Sequence, residues 1–192
     1  MLLQNFLEES ARKFPGKTAL VFGSERLSYD KINGDANKLA RLILNCGVHR
    51  GDRVAVFLDN SVETVVSIFG ILKADAVFVV LSPTLKPGKL SYILKNCSAR
   101  VLITDHKRIN SLSDMLDKVP SLRFTIAVGG AGPEKRAENG PGLNVIDWDR
   151  IYCAPPQWAE QPRCRNIDMD LASIIYTSGS TGDPKGVTLT HL

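Results

Sequence analysis

An α/β fold, built as a layered, mostly parallel sheet with flanking helices, is predicted by three observations. Apolar runs of strand length occur that would be buried on both faces, such as Val54-Ala55-Val56-Phe57-Leu58. Segments with apolar residues at helical spacing separate these runs, and the alternation repeats as far as Val128.

Taken in order, Leu27-Ser28-Tyr29 is strand-like, and Ile32, Ala36, Leu39, Ala40 and Ile43 then recur at helical spacing. Gly47 follows as a left-handed cap, so a helix is expected over about 30–46. Gly34 inside it costs about 1 kcal/mol relative to alanine, and its missing side chain could permit close packing. After the strand at 54–58, Asn60-Ser61 caps a helix expected to reach Lys73, and 76–81 forms a second buried strand. A strand–helix–strand succession of this length favours parallel pairing. Pro87-Gly88-Lys89-Leu90 opens a helix to about Asn96, with a strand over 101–104, a helix over 112–119 and a strand over 124–128. From 129 to 142, and again from 154 to 170, Gly, Pro and polar residues imply surface connections, with a short strand at Val145-Ile146-Asp147-Trp148 between them.

Composition excludes several classes. The chain has 192 residues, 44% of them hydrophobic, enough for a real core and too few for more than one large domain. Its 24 Lys and Arg against 20 Asp and Glu give a mild net charge of +4. The basic groups Lys107-Arg108 and Arg163-Cys164-Arg165 lack aromatic partners, so no nucleic-acid partner is expected. Cys46, Cys97, Cys153 and Cys164 show no Cys-x-x-Cys spacing and no His pair, which reads as reduced structural thiols with no metal site. The N-terminus has no basic start and meets Glu8-Glu9 after a short apolar run, which excludes a secretory signal. No apolar stretch approaches the roughly 20 residues of a membrane span, so the expected location is cytoplasmic.

The informative stretch begins where the strand Ala172-Ser173-Ile174-Ile175-Tyr176 runs into Thr177-Ser178-Gly179-Ser180-Thr181-Gly182-Asp183-Pro184-Lys185-Gly186. Its glycines let backbone N–H groups approach a ligand with no Cβ in the way. Thr177, Ser178, Ser180 and Thr181 add hydroxyl donors, and Lys185 adds a compact positive charge, so polyphosphate is the expected guest. Pro184 before Lys185 and Gly186 after it break the Walker A pattern. Val187-Thr188-Leu189-Thr190 alternates and is β-branched, so the loop is expected to join two strands. No His or acid lies at a spacing that would make a loop hydroxyl a nucleophile; His49 and His106 read as surface residues.

A flexible Gly/Ser/Thr linker would have similar composition but no fixed order. The order here resembles the phosphate-loop signature of the adenylate-forming superfamily, which includes acyl-CoA synthetases, peptide-synthetase adenylation domains and firefly luciferase. Eleven matching positions at about one in fifteen each make coincidence negligible, on the order of 10⁻¹³ per site tried. Upstream, Ala36-Asn37-Lys38-Leu39-Ala40, Gly47-Val48, Gly51-Asp52-Arg53-Val54 and Gly70-Ile71-Leu72-Lys73-Ala74 are similar to the family's blocks, in order. Asp75 stands where the family has glycine, and Val80 where it has proline.

The resemblance implies the N-terminal domain of an enzyme with a small mobile C-terminal domain. It also implies a two-step reaction in which a carboxylate attacks the α-phosphate of ATP, and a thiol then displaces AMP. ATP, Mg²⁺ and coenzyme A are the implied cofactors and co-substrates, and a small carboxylic acid the partner. On this basis Thr177, Ser178, Gly179, Ser180, Thr181 and Gly182 cradle the β- and γ-phosphates, and Lys185 neutralises their charge. His191 matches a His that commonly follows the loop, with a structural role equally open. No metal ligand is assigned within the chain, because the family places its Mg²⁺, ribose and acyl sites further on. By that comparison the chain is expected to be a partial AMP-binding domain. It would comprise α/β units over 1–128, an irregular connection over 129–170 and strand–phosphate loop–strand over 171–192, with the C-terminal domain absent and little turnover alone. Val79-Val80-Leu81-Ser82-Pro83-Thr84-Leu85-Lys86-Pro87 lacks the Tyr-Pro and Arg of peptide synthetases, which favours an AMP-forming CoA ligase, with blocks nearest to exosortase-associated ligases. Amino-acid adenylation is the alternative, and a non-catalytic nucleotide-binding scaffold a third reading.

Overall fold

The first helix, α1 (Leu3–Lys13), leads into an antiparallel hairpin of β1 (Thr18–Phe22) and β2 (Glu25–Ser28) in the computed structural model, which describes residues 1–130, 144–177 and 183–192. Ser28 then caps α2 (Tyr29–Asn45), its hydroxyl accepting the Lys31 N–H at 3.2 Å. Gly47, with φ +74°, turns the chain out of the helix. Next come β3 (Arg53–Phe57) and α3 (Val62–Lys73), which Ser61 caps by accepting from Thr64 N–H at 3.2 Å. The alternation continues through β4 (Val77–Val80), α4 (Pro87–Asn96), β5 (Val101–Asp105), α5 (His106–Leu116), β6 (Phe124–Val128) and β7 (Asn144–Asp147). Two 3₁₀ turns (Trp148–Ile151 and Pro156–Ala159) precede the final strands, β8 (Leu171–Thr177) and β9 (Lys185–Thr190).

Seven strands form one sheet in the order β7-β6-β5-β3-β4-β8-β9. Every neighbouring pair is parallel except β8 with β9. The period-2 geometry of β3 sorts its apolar run into two cores. Val54 and Val56 pack with α2 and α3 on one face, while Ala55 and Phe57 pack with Leu90, Ile93 and Leu94 of α4 on the other. The result is the three-layer α/β arrangement that the alternation predicts.

The two helices of the first layer come together at Gly70. A Cβ built there would lie 2.8 Å from Leu39 Cδ2, whereas one at Gly34 would meet nothing within 4 Å, so close packing falls at Gly70 and not at Gly34. Gly70→Ala is therefore expected to cost about 1–3 kcal/mol by overpacking, read as a lower urea midpoint at unchanged slope. An unchanged midpoint would contradict the packing described.

Three expectations are corrected. The helix expected over 112–119 begins at His106, because the Asp105 carboxylate caps it through Arg108 N–H at 2.9 Å. His106 is not a surface residue, since its ring is largely covered and its Nε2 lies 2.9 Å from Asp147 Oδ1. The 154–170 segment is more than a surface connection. Asn37 Nδ2 donates to Ala159 O at 2.6 Å, and the Asp75 carboxylate receives the Cys164 thiol at 3.0 Å and the Arg165 and Asn166 N–H groups at 3.0 and 3.3 Å. Asp75 has φ +58°, the left-handed region that suits glycine, and Asp is among the residues that tolerate it. Its side chain thus fastens the approach to β8 in a way glycine could not.

Candidate functional site

Because β3 to β8 run parallel, their carboxyl ends lie along one edge of the sheet, the edge at which open α/β sheets bind ligands. The phosphate-type loop leaves β8 at this edge and returns as β9. Thr177 and Lys185 face each other as the last ladder pair, so the intervening loop is closed at its base by the hairpin. Ser178, Gly179, Ser180, Thr181 and Gly182 lie outside the described residues. Thr177 and Lys185 are exposed, and Pro184 between them is buried. Pro184 thereby anchors the returning limb while leaving the Lys185 ammonium toward solvent.

Tyr176 and Gly186, the next ladder pair, explain how the base is held. A Cβ at Gly186 would come within 2.9 Å of Ile174 Cγ2 and 3.1 Å of Tyr176 Cζ, so the glycine makes room for the tyrosine ring to lie across the returning strand. The Tyr176 hydroxyl donates to Asn96 Oδ1 at the end of α4, fastening the hairpin to that helix. Burial, aided by neighbouring Cys97 and Tyr92, pushes the Tyr176 phenol up to about 12, so it serves as a neutral donor and not as a base.

A cavity of about 110 Å³ opens beside the hairpin, lined among others by Leu81, Ser82, Lys89, Thr177 and Pro184. Its volume equals that of roughly three or four waters. Lys89 and Ser82 were not legible as site residues. They reach the hairpin only because β4 is the strand next to β8, which sets the β4–α4 connection against Thr177. Lys89, Ser82 and Thr177 thus line the cavity, while Lys185, the ladder partner of Thr177, is exposed outside it.

His191 lies at the other end of β9, about 20 Å along the strand from Lys185, away from the phosphate loop. Its buried ring accepts the Leu3 N–H at Nδ1, 3.2 Å away, and has Asn166 Nδ2 3.4 Å from Nε2, so its role is to tie β9 to α1. Burial lowers its pKa below the ordinary 6.5, against the opposing charges of Asp170 and Asp75. The unfolded chain then binds a proton that the folded chain refuses, so this group's contribution to stability is full above 6.5 and is lost as pH falls below it. His191→Gln should flatten that acid limb of a pH–stability curve; an unchanged limb would contradict the assignment.

Three of the four cysteines are poor nucleophiles. Burial pushes the Cys46 and Cys164 thiols up to about 11, and raises Cys97 as well. Among the described residues no group of three or more His, Cys, Asp or Glu is placed to hold a metal, and no helix is long and apolar enough to cross a membrane. The chemistry these residues can perform is the binding of an anion with several oxygens.

A family model described as AMP-binding enzyme matches residues 7–192. The chain belongs to this family. Its AMP-binding region is 33% identical over 197 residues to bacitracin synthase 1 of Bacillus licheniformis, covering 98% of this chain and 3% of that protein. It superposes on a crystal structure of the anthranilate CoA ligase AuaEII in complex with anthranoyl-AMP with a TM-score of 0.83, at 28% identity, covering all of this chain and 35% of that one. A Mycobacterium tuberculosis fatty acyl CoA synthetase follows at TM-score 0.79 and 26% identity, over 99% of this chain and 34% of that structure. The chain therefore spans about a third or less of the length of these relatives.

Proposed function

We propose that this AMP-binding chain grips the outer phosphates of ATP while a carboxylic acid attacks the α-phosphate, releasing pyrophosphate and leaving an acyl-adenylate. In this reading Thr177, Ser178, Gly179, Ser180, Thr181 and Gly182 supply N–H and hydroxyl donors to the β- and γ-phosphates. Lys185 neutralises the charge that builds on the departing pyrophosphate, and Mg²⁺ accompanies the nucleotide without a ligand set among the described residues. The observation that carries the reading is the Thr177–Lys185 ladder pair, which closes a Gly-, Ser- and Thr-rich loop at the carboxyl edge of a parallel sheet. In-line displacement asks mainly for fixed geometry and positive charge, and support comes from a hairpin whose buried Pro184 anchors the backbone beside Lys185.

The acceptor has two candidates, each with its own support. Coenzyme A is favoured by the superposition on two CoA ligases and by the absence of the Tyr-Pro and Arg of peptide synthetases from the stretch after β4. An amino-acid substrate with a carrier-protein acceptor is favoured by the 33% identity to bacitracin synthase 1. Four free cysteines agree with a cytoplasmic location. The test is acid-dependent exchange of labelled pyrophosphate into ATP by the enzyme that carries this domain, across aryl, fatty and amino acids. Exchange with some acid is expected, followed by thioester formation on either coenzyme A or a carrier protein. Exchange with none of these acids, together with no stabilisation of the chain by ATP, would leave the scaffold reading in its place.

A further inference from the structure

A second cavity, of about 490 Å³, lies between the end of α2, the strands β6 and β7 and the 3₁₀ turns that follow them. Phe124 opens β6, so this cavity sits toward the amino ends of the strands, at the edge opposite the phosphate hairpin. It is also separated from β8 by the intervening strands β5, β3 and β4, about 19 Å across the sheet. None of the residues assigned to the phosphates is among those lining it.

Its size falls within the roughly 300–1,000 Å³ of small-molecule pockets. Leu42, Phe124, Ile146, Ala154, Pro155 and Trp158 supply apolar walls. Among the described residues one full charge reaches it, that of Arg150, with the Asn45 amide beside it. Among the described residues no carboxylate pairs with Arg150. Its field nonetheless acts on the cavity wall, opposing the burial that raises the Cys46 thiol. A guanidinium fork suits a carboxylate, which it binds through two parallel hydrogen bonds. The carbonyl end of α2 borders the same space and disfavours negative charge, more strongly for a phosphate dianion than for a carboxylate.

We propose that this cavity binds a small amphipathic monocarboxylate, its apolar body against Phe124, Ile146 and Trp158 and its carboxylate on Arg150. Trp158 stands in the wall and Trp148 is buried, so indole emission reports occupancy. The test titrates the chain, without nucleotide, with octanoate and with uncharged octanol. Octanoate is expected to give a saturable change that Trp158→Phe abolishes, with octanol binding about ten- to a hundredfold more weakly. Arg150→Gln should bring octanoate down to the level of octanol, and Arg150→Lys should restore part of the difference. Arg150 is exposed, so melting temperatures should match wild type and separate lost binding from lost folding. Equal binding of octanoate and octanol, indifference to Arg150→Gln, or no saturable change would overturn the proposal. None of these readouts depends on the phosphate hairpin, so its success or failure is independent of the adenylation reading.

Discussion

Replacing Lys185 with alanine is expected to slow acid-dependent pyrophosphate exchange by about 10²- to 10³-fold in the enzyme that carries this domain, the usual effect of removing one preorganised charge from a developing anion. Lys185 is the first residue of β9 and faces Thr177, so its backbone is fixed by the ladder while its side chain is exposed to solvent. The charge matters most when the α–β phosphate bond is breaking, so the loss should fall on turnover more than on the KM for ATP. Transfer of the acyl group from a preformed adenylate should change less than about threefold, because pyrophosphate has already left. Equal slowing of both half-reactions would place Lys185 elsewhere in the chemistry. Lys89→Ala should give a smaller loss, because Lys89 approaches from a helix across the cavity and not from the hairpin itself.

Glu8→Ala should be the most destabilising single change, costing about 3–5 kcal/mol. The Lys73 side chain is 1% exposed, and its Nζ lies 2.6 Å from Glu8 Oε1, the contact that joins α3 to α1. Burial lowers the Lys73 pKa from the ordinary 10.5, with Glu8 opposing the shift. Removing the acid leaves a buried ammonium with no counter-charge. A chain of this size should then melt about 6–20 °C lower. The sign of the pH effect follows from the lowered pKa. Just below 10.5 the unfolded chain binds more protons than the folded one, so stability rises as pH climbs through that window, and more steeply without Glu8. The double replacement Glu8→Leu with Lys73→Met removes both charges and should recover most of the loss, since a packed apolar pair replaces a desolvated ionic one. A double variant no more stable than Glu8→Ala would show that the pair's packing, and not its charge, holds α1.

How far the fold could be read depended on whether a signal was local. The start of α3 was legible because Ser61 caps it by bonding a residue three positions on, a contact within one turn. The start of α5 was missed because its first turn, His106-Lys107-Arg108, has no apolar periodicity. What fixes it is the Asp105 cap, with Arg108 reaching on to Asp59 on the neighbouring strand connection. The same distinction separates Gly34 from Gly70: sequence marks both as glycine, but only the facing of α2 against α3 decides which one touches Leu39. Asp75 was visible as a departure from the family pattern. Its purpose was not, since the groups it receives lie 90 residues further along the chain. In the site, Thr177 and Lys185 could be named because a hydroxyl and a compact charge are written in the loop itself, whose order resembles a family signature; that they pair as the last ladder rung could not. Lys89, Ser82 and the Tyr176–Asn96 contact depend on the order β3-β4-β8, which no local pattern encodes.

If the turn between β8 and β9 holds the outer phosphates of ATP, its amides must respond to nucleotide. A ¹⁵N-labelled sample of the chain titrated with MgATP, followed by amide resonances, tests it most directly. Saturable shifts concentrated on residues 177–186, reproduced by tripolyphosphate and lost in Lys185→Ala, are the predicted result. Shifts confined to other parts of the sheet, or an unmoved set of hairpin amides at saturating nucleotide, would contradict it.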